Sequence, residues 1–251
     1  MSGLETLEVS ELDFRLERAP WAFAQVHADE IAAHWRRAVR AKPALFNGRV
    51  LLLSRRAFER TASGATRMTG TFFETDFAAF IAWKAFGFPG PKVENCFSMA
   101  ALRSSDGAFL MGEMAAHTYN AGQIYFAAGT PDPSDVFGDR VDLNASARRE
   151  LAEETGVAAW EAAVAPGWTI LFAPGRIACM KAMTLPLTSE AARARIDAWL
   201  ARDPEAEFSR MHIVRASADI DDQRTPPFVA AYIRAELSRG AGAIPPSFGN
   251  A

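Results

Sequence analysis

The sequence is poor in cysteine. It has two in 251 residues, Cys96 and Cys179, far apart along the chain and with no metal-ligand spacing. Each has mostly apolar neighbours on at least one side, so both read as buried free thiols, which points to a reducing, cytoplasmic setting. Long hydrophobic runs are also missing. None approaches the roughly 18–20 residues that span a bilayer, so no membrane segment is expected. The first residues, MSGLETLEVSEL, lack a basic region followed by an apolar stretch, and no secretory signal is expected there. Charge of one sign is scarce as well. A formal net charge of −3 leaves no footprint for nucleic acid or for an anionic membrane, and neither partner is expected. No internal repeat or low-complexity segment occurs. What remains is an ordinary globular composition, long enough for one large domain or for one domain with an appended arm.

The first ninety residues give a sparse but readable pattern. Asp13–Arg18 alternates apolar and charged residues, as a short strand does. Pro20 opens a helix to about Arg40, with Trp21, Phe23, Ala24, Ile31 and Trp35 as core candidates. His27 and His34 on it read as packed or surface residues. Asn47-Gly48 is a turn signal before a strand over Val50–Leu53, and Ala65–Thr75 is a second extended segment. Asp76 is placed to cap a helix, Phe77–Phe86, which is apolar nearly all round and so buried. Gly87-Phe88-Pro89-Gly90-Pro91 ends it and forms a linker. Residues 1–92 are therefore expected as an N-terminal α/β extension or subdomain, 93–240 as the main domain and 241–251 as a flexible tail.

Beyond the linker, strands are expected at Cys96–Arg103 and Ala108–Met114 around the turn Ser104-Ser105-Asp106-Gly107, and at Gln123–Ala127. Thr130–Arg140, with two prolines, is a long loop and the candidate specificity or lid element. Asn144 or Ser146 is expected to cap the helix that follows. Trp168–Phe172 and Ile177–Leu185 read as strands, Thr188–Ala201 as an amphipathic helix, Phe208–Val214 as a strand after the acidic loop Asp203–Glu207, and Phe228–Ser238 as a last helix.

The chemistry concentrates in Ala147–Val157. Glu150, Glu153 and Glu154 stand at helical spacing, and positions i, i+3 and i+4 share one face. Three like charges on one face repel, by a few tenths of a kcal/mol per exposed pair. Such a face is either simply solvated or holds a hard cation, for which carboxylate oxygens suit Mg²⁺ or Mn²⁺. Gly156 follows where a left-handed residue would close the helix.

The order Arg149-Glu150-Leu151-Ala152-Glu153-Glu154-Thr155-Gly156-Val157 resembles the second half of the Nudix box, R-E-(apolar)-x-E-E-x-G-(apolar), at all seven specified positions. The first half departs from it. The family's glycine would fall on Asp135 and its glutamate on Val141. A loop six residues longer, running from Gly129, accounts for the shift, with Asp142 as the nearest acid to the missing glutamate. The stretch from His34-Trp35 to Pro43-Ala44-Leu45-Phe46-Asn47-Gly48 bears a shorter resemblance to the UDP-glucose diphosphatase branch.

The resemblance implies an α/β fold, the Nudix α/β/α sandwich with a mixed sheet. It implies hydrolysis of a nucleoside diphosphate linked to another group X, a nucleoside diphosphate sugar being the leading conjugate, with Mg²⁺ or Mn²⁺ as cofactor. It assigns Glu150, Glu153 and Glu154 as metal ligands, with the backbone at Gly129 (or Ala128) beside them. Arg149 would orient the glutamates, and one box glutamate could serve as base. Glu205 or Glu207 is the candidate further acid, as ligand or general base. Phe46, Phe73, Phe88, Tyr119 and Tyr125 are candidate base stackers, and Arg103 and Arg176 candidate phosphate contacts. A homodimer is allowed. The alternative is a Nudix-fold protein that senses a nucleotide without turning it over.

Overall fold

The protein is described here by a computed structural model over residues 5–90 and 93–239, so the expected tail at 241–251 lies outside the described residues. The N-terminal half contains β1 (Thr6–Val9), β2 (Glu11–Leu16), α1 (Ala22–Val26), α2 (Ala28–Ala41), β3 (Arg49–Arg60), β4 (Thr66–Asp76) and α3 (Phe77–Ala85). Next come β5 (Asn95–Arg103), β6 (Phe109–Met114), β7 (Ile124–Tyr125), β8 (Ala128–Gly129), β9 (Val136–Phe137), β10 (Arg140–Val141) and α4 (Leu143–Thr155). The last elements are β11 (Ala163–Val164), β12 (Trp168–Ala173), β13 (Arg176–Thr184), α5 (Ser189–Leu200), β14 (Phe208–Val214) and α6 (Pro227–Ser238).

These elements build two mixed sheets. The larger runs β1-β12-β13-β5-β6-β14, with β11, β7 and β8 paired to β13, β6 and β5. Its central pair, β13 and β5, is parallel. The smaller runs β3-β4-β2-β10-β9, with β2 and β4 parallel. Alternation along the strands decides which way each side chain faces. Ile177 and Cys179 of β13 pack with Phe14, Leu53, Met68 and Phe72 of the smaller sheet. Ala178 and Met180, on the opposite face, cluster with Phe228, Val229 and Ile233 of α6. Cys96 and Cys179 are both free and buried, and their Sγ atoms meet at 3.7 Å.

The chain laces the two sheets together. β1 pairs with β12 at the edge of the larger sheet, whereas β2, only one residue further on, belongs to the smaller one. In return, β9 and β10 leave the segment before α4 and pair onto β2.

Several local expectations change. The helix expected from Pro20 to Arg40 is two helices, because His27 leaves the helical region (φ −106°, ψ 27°) and its ring packs on Phe23. Asp76 does not cap α3. The β3–β4 register sets it opposite Arg49, whose Nη1 it binds at 2.5 Å, and Asn47 Oδ1 instead accepts the Ala78 N–H at 2.7 Å. Gln123–Ala127 forms a strand over two residues only. Thr130–Arg140 is not a free lid: it makes a 3-10 turn at Pro133–Asp135 and then β9, which docks on the smaller sheet through β10.

Candidate active site

Helix α4 is fixed at both ends. Its N-cap is Asp142, whose Oδ1 accepts the N–H groups of Asn144 and Ala145 at 2.8 and 3.0 Å. Asn144 and Ser146 thus lie inside the helix, and Asp142, the nearest acid to the missing box glutamate, caps it through Oδ1. The helix ends at Gly156 in the left-handed region (φ 68°), where a Cβ would also lie 2.5 Å from the Trp199 ring, so glycine is required twice over. Between these ends the helix turns Leu151 into the core and lines up its glutamates against β8.

Arg149 stands at the centre of the acidic face. Its Nη2 donates to both carboxylate oxygens of Asp135, at 3.2 and 3.0 Å, and its Nη1 lies 3.0 Å from Glu150 Oε1 and from Glu153 Oε2. Asp135, at the position where the standard box spacing would put a glycine, is buried and is the carboxylate that meets the guanidinium. Val141, at the position of the missing glutamate, is a buried core residue.

Glu153 is exposed, Glu150 is half-buried and Glu154 is buried. Burial pushes the Glu150 carboxyl up to about 7, against the pull of Arg149 and with the help of Glu153, Glu207 and Asp135. Burial, then the charges of Glu150 and Glu207, hold Glu154 well above the carboxylate range, although its Oε2 accepts the Ala128 N–H at 3.1 Å. Glu207, just before β14, is exposed, yet its carboxyl is also raised, by desolvation first, against the pull of nearby His117. Gly129 in β8 presses on Glu150: a Cβ there would stand 2.0 Å from Oε1. Glu205 lies on the exposed Asp203 turn, with its N–H donated to Asp203 Oδ1.

A cleft of about 220 Å³ opens beside these groups. Ala128, Gly129 and Glu207 line it on the carboxylate side. Phe80 and Lys84 of α3, Arg176 of β13 and Phe228 of α6 line it elsewhere. Of the candidate stackers, Tyr119 and Tyr125 reach the cleft; Phe73 is core, Phe46 is exposed and Phe88 packs on Trp83. Arg103 lies over the Phe109 ring instead of in the cleft. Sequence reasoning missed Lys84 and His117. The signal for Lys84 was present: it is the one charged residue in the nine of α3.

The glutamates suit a hard divalent cation in donor type, and the like charges of buried Glu154, half-buried Glu150 and exposed Glu207 are what a cation would offset. Among the described residues no three acidic groups are already closed into a metal cage, and Arg149 holds Glu150 and Glu153. The box sequence lies on a strand–loop–helix unit, with Glu150 against Gly129 and Glu154 against Ala128 of β8, residues that also line the cleft.

The chain resembles a Nudix hydrolase. No family model and no curated protein matches it. Among solved structures it is similar to the Nudix hydrolase RenU from M. smegmatis at 14% identity, over 61% of this chain and 88% of that one, with a TM-score of 0.39. It is similar to the MutT protein from Methanosarcina mazei Go1 at 14% identity, over 59% and 96%, with a TM-score of 0.40. A Nudix hydrolase from Nitrosomonas europaea aligns at 16% identity, over 59% and 90%, with a TM-score of 0.38. At identities and TM-scores this low, the weight falls on the Nudix-like motif and geometry of the chain itself.

Proposed function

We propose that the protein is a divalent-metal-dependent hydrolase that cleaves the diphosphate of a nucleoside diphosphate linked to another group X. The observation that carries this reading is that Glu150, Glu153 and Glu154 share one face of α4, with Glu154 buried against the Ala128 N–H and Glu207 lining the adjacent cleft. A buried carboxylate such as Glu154 among like charges is costly without a cation.

In this reading Glu150, Glu153 and Glu154 hold Mg²⁺ or Mn²⁺, with the Gly129 backbone beside them. A bound divalent cation screens the diphosphate charge and lowers the pKa of water. Arg149 orients Glu150 and Glu153 and is itself held by Asp135. Glu207 enters from a different element. Its raised pKa and its position in the cleft lining suit it to take a proton from the attacking water, or to complete the ligand set. Tyr119 and Tyr125 line the cleft, which supports a role for them in stacking on a base or sugar.

A nucleoside diphosphate sugar is the leading conjugate. The stretch behind that choice acts on the cleft: Lys42 Nζ donates to the carbonyl oxygens of Thr118 and Tyr119 in its wall, and Asn47 caps α3. The test is phosphate release from UDP-glucose, ADP-ribose, NADH, coenzyme A, diadenosine polyphosphates and nucleoside triphosphates, with either metal, beside Glu153→Gln. Selective turnover of one conjugate, lost in the variant, supports the hydrolase. Nucleotide binding without a divalent cation, and no turnover, would favour the sensor.

A further inference from the structure

We infer that Lys84 and Arg176 form an oxyanion subsite in the cleft, which takes a phosphate-type group of the ligand. This deepens the hydrolase reading, on which it rests for the cleft being the substrate site.

The two side chains come from different parts of the fold. Lys84 is in the last turn of α3, and Arg176 opens β13. Both line the same cleft as Gly129 and Glu207. Both are cations of one cleft. The charge that bears on Lys84 is that of Arg176, and among the described residues Arg176 Nε is buried with no hydrogen-bond partner. An unpartnered buried donor is costly, more so when charged, so Arg176 Nε stands at a penalty that an anion would remove.

The surroundings hold the side chains in place without neutralising them. Lys84 Nζ lies 4.7 Å from the Tyr119 ring centroid and 5.3 Å from that of Phe80, and Arg176 lies 5.5 Å from that of Phe88. Ring faces attract a cation but leave its N–H groups able to donate. The Lys84 ammonium is pushed down to about 8, by burial first and by Arg176 second. A bound oxyanion would reverse both effects, and the Arg176 guanidinium can meet two of its oxygens at once. The cleft is thus polarised, with Glu207 on one side and this pair for phosphate oxygens on the other.

The test is calorimetric titration of the full chain with inorganic pyrophosphate in chelator, so that turnover plays no part. Wild type is expected to bind, Lys84→Met and Arg176→Met to weaken binding about tenfold or more each, and Lys84→Arg to retain it. Melting curves establish that each variant is folded. No binding by wild type, or equal binding by folded Lys84→Met and Arg176→Met, would overturn the subsite, whatever the conjugate panel shows. NADH and NADPH, which differ by one phosphate, separate the two sources of the oxyanion. Equal weakening of both by Lys84→Met assigns it to the diphosphate, and weakening of NADPH alone assigns it to an additional phosphate. Weakening of neither overturns the proposal.

Discussion

Asp135 and Arg149, fourteen residues apart, form a two-oxygen ion pair at 3.0–3.2 Å, with the Asp135 side chain only 2% exposed. That pair positions the guanidinium between Glu150 and Glu153. Asp135→Asn keeps the shape but removes the charge. It is expected to destabilise the protein by about 2 kcal/mol, below the range for fully buried pairs because Arg149 is partly exposed. It is also expected to lower kcat about tenfold or more through misoriented glutamates. Urea midpoints and steady-state kinetics measure the two effects separately. An unchanged kcat would remove Asp135 from any positioning role.

Gly129→Ala tests the closeness of β8 and α4. The added Cβ would collide with the end of the Glu150 side chain, which can swing away. Stability is therefore expected to change by less than about 1 kcal/mol, while divalent-cation affinity falls. A loss of stability comparable to a core cavity, or unchanged Mn²⁺ affinity by calorimetry, would contradict this.

The buried glutamates set a pH dependence in chelator-treated protein. A carboxyl with a raised folded pKa keeps its proton after the unfolded chain has released its own. Its contribution is complete below the unfolded value of 4.5 and is lost as pH rises toward the folded value, about 7 for Glu150. Glu154 and Glu207 shift in the same direction. Thermal melts should show stability falling between pH 4.5 and 7, by about 2–3 kcal/mol from Glu150 alone. Mg²⁺ or Mn²⁺ should reverse the fall, and Glu154→Gln should raise the melting temperature of the metal-free protein at neutral pH. A flat profile would mean that these groups are solvated.

Lys42→Met probes the link between the N-terminal half and the cleft. With its donation to the Thr118 and Tyr119 carbonyls gone, that wall should loosen. KM is expected to rise about tenfold with kcat nearly unchanged. A matching loss in kcat would place Lys42 closer to the chemistry.

The site's acidic helix was legible in the sequence because its signals are local. Glu150, Glu153 and Glu154 share a face by spacing alone, and Gly156 marks the end. The sequence offered Glu205 or Glu207 as a further acid, and of the two it is Glu207 that lines the cleft, more than fifty residues along the chain from Glu154. What was not legible depends on competition or on distance. Asp142, Asn144 and Ser146 can all cap a helix, and backbone entry from β10 decides for Asp142. Asp76 looked like a cap until the β3–β4 register gave it Arg49. The docking of β9–β10 on β2, the crossing of β1 to β12, and the 3.7 Å approach of Cys96 to Cys179 are pairings between remote segments that no local pattern encodes.

The central claim is that the Nudix-like glutamates hold the cation for phosphate release. The most direct measurement is turnover of the conjugate panel by wild type and Glu153→Gln, with melting curves alongside. Glu153 is 60% exposed at its side chain, so the variant should melt within a few degrees of wild type. The account predicts turnover of one conjugate with Mg²⁺ or Mn²⁺, reduced by several orders of magnitude in a folded Glu153→Gln protein. Full activity in that variant would contradict it. So would silence across the panel with nucleotide binding intact.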